Sequence, residues 1–155
     1  QAQASARAVD AAFESMLQSN RDAALQLCEC TPSAVTDVTG FGLLGHLLEM
    51  VDTEQTGIGA QINVAQLPLL TGALALSQRG VQSTLFPHLQ PLLHRCEIVD
   101  SIDQGRLDLL LDPQTSGGLL IALPAAQVQQ FMDGVTGEAA IIGKIVSSNV
   151  SVTIS

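Results

Sequence analysis

The sequence predicts an α+β fold: a mixed or mostly antiparallel sheet with packed helices, in one domain spanning residues 1–155. Three observations lead there. Segments with helical spacing and segments with period-two or unbroken apolar runs follow one another without the regular alternation of a parallel α/β fold. Hydrophobic residues make up 46% of the 155 positions and charged residues 14%, enough apolar surface for one core in a chain of single-domain size. Neither an internal repeat nor a low-complexity tract divides the chain.

The elements follow in order. Residues 4–18 carry Ala8, Ala12, Phe13, Met16 and Leu17 at helical spacing, and Asn20 and Asp22 end that helix and cap a second over 23–28. Thr31-Pro32-Ser33 is a turn, because Pro32 pushes Thr31 away from helical geometry. Ala34, Val35 and Val38 read as a strand, and Phe41, Leu44, Leu48 and Val51 as the apolar face of a helix. Residues 52–59 form a polar loop, and 60–64 alternate as a strand with one wet face. Residues 67–76 read as a helix stopped near Gly80; Pro87 and Pro91 then allow only short helical pieces. Residues 94–106 are polar and end in the turn Asp103-Gln104-Gly105. The run 107–111, leucine except for Asp108, and the unbroken apolar run 119–123 fit buried strands. Pro124 opens a helix over 125–132, and 139–146 and 150–154 read as closing strands.

Composition excludes several function classes. A formal charge of −9, only six scattered basic residues, four Phe, no Trp and no Tyr argue against nucleic acid, whose binding needs clustered cations and stacking aromatics. No apolar run reaches the roughly 18 residues of a transmembrane helix, so no membrane partner is expected. The start, Gln1-Ala2-Gln3-Ala4-Ser5, has neither the features of a signal peptide nor an initiator Met; the chain reads as an internal piece of a longer one. Three cysteines, an odd number, do not make a disulfide framework. Cys28-Glu29-Cys30 lacks the C-x2-C reach of a metal clip and has no second pair. A reducing cytoplasm is the expected compartment.

The most informative stretch is Thr36-Asp37-Val38-Thr39-Gly40-Phe41-Gly42-Leu43-Leu44-Gly45-His46-Leu47-Leu48-Glu49-Met50. Thr39, Gly40 and Gly42 allow a tight turn and close approach of backbone to a ligand, and the helix that opens behind them favours an anion. The one charge in the turn is the negative Asp37. A carboxylate beside an anion site makes chemical sense with a divalent cation between them, the arrangement of Mg²⁺ bound through a carboxylate and phosphate oxygens. On that reading Asp37 is a metal ligand and Thr39, Gly40 and Gly42 are phosphate-facing. The alternative is a plain junction, with Asp37 or Thr39 capping the helix and the glycines packing.

A second constellation is Asp112-Pro113-Gln114-Thr115-Ser116-Gly117-Gly118 between two apolar runs. Thr115 and Ser116 supply hydroxyls, and Gly117 and Gly118 let the backbone curl its N–H groups into an anion nest. The alternative is a connection that uses glycine for positive φ and Asp112 for an Asx-turn. No acidic pair suited to general acid–base chemistry stands out, Glu49 and Asp52 reading as a solvated helix end. His46 reads as a packed or surface helix residue, and His94 with Cys96 is a weak metal signal. No side chain is assigned as catalytic.

Together the strings TDVTGFGLLGHLLEM and LLDPQTSGGLL resemble the two C-terminal signatures of the selenophosphate synthetase (selenide, water dikinase) family, within the superfamily of aminoimidazole ribonucleotide (AIR) synthetase. The resemblance covers almost the whole chain. It implies the C-terminal domain of that fold and, for a complete enzyme, formation of selenophosphate, AMP and phosphate from ATP, selenide and water. It implies Mg²⁺ held partly by the aspartate matching Asp37, with ATP and selenide as substrates, an N-terminal domain as partner and a homodimeric whole. The family's reactive Cys or selenocysteine, its essential lysine and its other metal-binding aspartates belong to the N-terminal half and are not identifiable here, so this piece alone is expected to be inactive. The competing expectations are another ATP-using member of the superfamily, serving purine synthesis, and a non-catalytic binding module.

Overall fold

Two small sheets carry the chain, and both are visible in the register of their strands. The computed structural model describes residues 4–51, 57–99 and 101–155; residues 1–3, most of the polar loop expected over 52–59 and the acid Asp52 lie outside them. Strand β1 (Ala34–Asp37) pairs antiparallel with β4 (Leu119–Ala122), Ala34 opposite Ala122 and Asp37 opposite Leu119. The second sheet has the order β3-β6-β2-β5. Its strands are β2 (Ile58–Ile62), β3 (Cys96–Ile98), β5 (Gly143–Ser147) and β6 (Val152–Ile154). β2 runs antiparallel to β5 and parallel to β6, and β6 runs parallel to β3. The mixed α+β architecture expected from the sequence is the one found.

Alternation explains the second sheet. Ala60 and Ile62 of β2 are buried while Gln61 between them is exposed, and Val152 and Ile154 of β6 are fully buried on either side of Thr153. Helix α3 (Gly42–Met50) turns Leu44, Leu47 and Leu48 inward, with Val51 just beyond. It packs on β1, β4 and the later helix α6 (Gln104–Leu110). Phe41, expected on that apolar face, instead precedes the first helical residue and is exposed.

The remaining helices are α1 (Ala6–Leu17), α2 (Arg21–Leu27), α4 (Ala73–Ser77), α5 (Phe86–Leu89) and α7 (Ala125–Gly134). Ser5 caps α1 by accepting the Ala8 N–H. The helix expected over 67–76 is shorter. Pro68 holds Leu67 extended (φ −65°, ψ 127°), and Gly72 at φ +84° immediately precedes α4. The prolines at 87 and 91 sit near the starts of α5 and of the 3₁₀ turn over Gln90–Arg95. The closing strands begin later than expected, at Gly143 and Val152, and β3 has no counterpart in the polar reading of residues 94–106.

One element is of the other type. The leucine-rich run 107–111, expected as a strand, lies in α6 and its C-terminal turn. Asp103, read as part of a turn, is the N-cap, its carboxylate accepting the Arg106 N–H. Leu107, Leu110 and Leu111 fill the core, while Asp108 of the same helix is buried but hydrogen-bonded to Gln82 and Gln104. With α3 and α4 packed on it, α6 buries four of the five residues 107–111, Asp108 among them, so this stretch shows no helical period and looks like a buried strand.

Candidate functional site

Pairing of β1 with β4 brings the two signature stretches together. β1 ends at Asp37 and β4 begins at Leu119, so the turn after one and the loop before the other lie side by side. The Val38 N–H donates to the Gly118 carbonyl (3.0 Å) and the Gln114 N–H to the Thr39 carbonyl (3.0 Å). Asn20, at the α1–α2 junction, donates its side-chain amide to the Gly117 carbonyl (2.9 Å). Asn20 was expected to cap α2; it precedes that helix but makes no side-chain cap, its backbone lying outside the extended region (φ −75°, ψ 2°), and its amide N–H donates to the loop instead.

Glycines at the corner divide into two kinds. Gly42 has φ +65°, and a Cβ there would lie 2.7 Å from the Leu111 carbonyl carbon and 2.8 Å from the Leu110 oxygen. A Cβ on Gly117 would run into the Val38 carbonyl oxygen and the Gln114 side chain. These two let the protein's own segments meet. Gly40 and Gly118 have nothing within 4 Å of a Cβ position, so open space borders them.

Asp37 is exposed, and its carboxylate has no hydrogen bond or ion pair among the described residues. Thr115 and Ser116 are exposed as well. The N–H groups of Gly40, Phe41, Thr115, Ser116 and Gly117 have no protein partner among the described residues. Thr39 is different: its N–H donates to His46 Nε2 (3.1 Å), and its carbonyl also accepts the Gly42 N–H (3.1 Å). The corner thus offers one free carboxylate and several free amide donors in two adjoining turns. That set suits an anion and a cation held together.

As a cation site it is open-handed. Among the described residues no cluster of three or more His, Cys, Asp or Glu side chains is placed to hold a metal. Asp37 fits as a single protein ligand to Mg²⁺, an ion that keeps waters and takes phosphate oxygens with one or two carboxylates. The three cysteines are free thiols, and burial pushes the Cys96 thiol up to about 11, the direction that favours its protonated form. A shallow recess of about 590 Å³ lined by Gln18, Ser19, Arg21, Asp22, Thr136 and Gly137 contains none of the predicted site residues.

Asp112, at the head of the loop, keeps an exposed side, yet the protein around its carboxyl displaces enough water to raise its pKa above the ordinary value. The sign follows from the direction. A carboxyl with a raised folded-state pKa favours folding while protonated, and that contribution is lost as pH rises through the raised value. Asp112→Asn is therefore expected to stabilise the fold at pH ~7 and to change nothing at pH ~3, read from urea unfolding at both. A gain of equal size at the two pH values would remove the carboxyl as its cause.

Sequence reading passed over two residues here. Asn20 acts on a loop 97 positions away, which no local pattern reveals. His46 stands seven residues after Thr39, and that spacing across the turn was the available signal. Asn20→Ala is expected to cost about 1 kcal/mol and to speed amide hydrogen exchange in residues 112–118. Unchanged exchange there would mean that Asn20 does not hold the loop.

Comparison with known proteins gives a consistent family. The sequence profile of "AIR synthase related protein, C-terminal domain" matches residues 2–155. The "Selenide, water dikinase" of Clostridioides difficile (strain 630) is 34% identical over 140 residues, covering 90% of this chain and 40% of that protein. The protein of the same name from Clostridium botulinum (strain Eklund 17B / Type B) is 37% identical over 125 residues, 76% of this chain and 36% of the relative. For that of Pseudomonas straminea the figures are 40% over 117 residues, 72% and 32%. The chain thus spans two fifths or less of the length of these relatives.

Proposed function

Because this chain belongs to the AIR synthase-related C-terminal domain family, we propose that it is the C-terminal domain of an ATP-dependent selenide, water dikinase. The whole protein would form selenophosphate, AMP and phosphate from ATP, selenide and water. The reading rests on one observation above the others: the two signature stretches meet through the Val38–Gly118 and Gln114–Thr39 hydrogen bonds, with the unpaired Asp37 carboxylate at the end of β1 and unpartnered amides in the turn after it and the adjoining loop.

In that role the chain's residues bind and orient. The N–H groups of Gly40, Phe41, Thr115 and Ser116 donate to phosphate oxygens, and the Thr115 and Ser116 hydroxyls add donors. Asp37 would be the residue of this chain that holds magnesium on the nucleotide. When bound, Mg²⁺ neutralises phosphate charge and fixes the oxygens for transfer. Phosphoryl transfer asks for positioned phosphates more than for a protein nucleophile, in keeping with a corner built from backbone.

An N-terminal domain completes the site. Relatives more than twice as long as the matched region support this, as does an exposed apolar stripe on α1. Its members Val9, Phe13 and Leu17, at four-residue spacing, form a face of the kind that a companion domain covers.

The test is AMP formation from ATP by the whole protein, with and without selenide. Selenide-dependent AMP is the expected result. ATP use without a selenide response would point to another enzyme of the superfamily, and no ATP use at all to a binding module; either overturns the proposal. The 155 residues alone are expected to release no AMP, and robust turnover by them would disprove the need for a second domain.

A further inference from the structure

His46 is the buried polar residue nearest the corner and has no part in the chemistry above. It is 6% exposed. Its Nε2 accepts the Thr39 N–H at 3.1 Å and lies 3.2 Å from the Thr39 hydroxyl oxygen. A backbone N–H can only donate, so Nε2 carries the lone pair and the ring proton sits on Nδ1. That Nδ1 is buried without a hydrogen-bond partner, with the exposed Glu49 carboxylate 3.6 Å away, just beyond hydrogen-bond reach. Phe41 flanks the ring, the two centroids 5.7 Å apart. With the Thr39 carbonyl taken by Gly42 and Gln114, every backbone polar group of Thr39 is held by protein.

We propose that His46 is a positioning residue of the phosphate corner: its Nε2 removes the Thr39 N–H from the ligand-binding set and fixes the turn so that Gly40 and Phe41 present the donors. The inference rests on the phosphate-binding reading of that corner. It acts at one remove from a ligand, through Thr39, with the ring packed beside Phe41. Leucine at 46 keeps a buried apolar side chain but strands the Thr39 N–H, which is then free to swing toward a ligand. Glutamine restores an acceptor oxygen at similar reach.

The experiment uses the whole protein, with His46→Leu, His46→Gln and Asp37→Asn compared in steady-state kinetics and thermal melting. His46→Leu is expected to raise the KM for Mg-ATP about tenfold with kcat little changed, and His46→Gln to bring KM back to within about twofold. Nitrogen-15 spectra of the natural protein are expected to show the Nδ1–H tautomer of His46. Equal KM values for the Leu and Gln variants, a KM change that follows the melting temperature, or an Nε2–H tautomer would each overturn the assignment. Should Asp37→Asn leave magnesium-dependent turnover intact, the reading of the corner falls and His46 with it. Should Asp37→Asn abolish turnover while both His46 variants behave like the natural protein, only the His46 assignment falls.

Discussion

Replacing Asp37 with asparagine is expected to lower magnesium-dependent turnover of the whole protein by about 10²-fold or more while leaving its folding stability within about 0.5 kcal/mol. The two halves of that expectation come from different observations. The carboxylate is exposed and makes no hydrogen bond or ion pair among the described residues, so the fold loses little without it. Asparagine keeps the shape but presents a neutral oxygen, and a hard cation binds that more weakly than a carboxylate. The measurement is AMP release across a magnesium titration, paired with a thermal melt. A normal rate with an unchanged magnesium dependence would take Asp37 out of the site.

Gly42→Ala has the largest expected effect on stability, a loss of about 2–5 kcal/mol. Part is backbone strain, since an L-residue at φ +65° is disfavoured by about 1–2 kcal/mol. The rest is overlap: the new methyl carbon would sit 2.7 Å from the Leu111 carbonyl carbon, in backbone that a rotamer change does not move. α3 would have to shift away from the end of α6, and the Asp37 turn would follow it. Gly40→Ala is the control, because a Cβ there meets nothing within 4 Å. Urea unfolding of both variants checks the contrast, and a Gly42→Ala protein as stable as the Gly40→Ala one would show that the close approach of α3 to α6 is not needed.

Much of this was readable in the chain. The β1–turn–α3 unit is written in short-range terms: β-branched residues, a Thr-Gly-Phe-Gly turn, then leucines at helical spacing. The Asp112–Gly118 loop before β4 was legible from its turn residues. The run 107–111 was misread because four leucines interrupted only by Asp108 are too few to show a period, and the Asp103 cap that would have decided the matter was taken for a turn. β3 is three residues long, with Cys96 half-buried and Glu97 and Ile98 exposed, too short to show alternation.

By itself the sequence determined the family, the α+β character and the two signature stretches, because each is carried by neighbouring residues. Only tertiary structure decided that those stretches touch, which follows from β1 pairing with β4 across the chain. It also sorted four similar glycines into two against neighbouring protein and two beside open space. And it turned Asn20 and His46 from a cap and a packed helix residue into the side chains that hold the loop and the turn. A hydrogen bond is specified by the place of its partner in space, and for a partner 97 residues away that place exists only once the strands have paired.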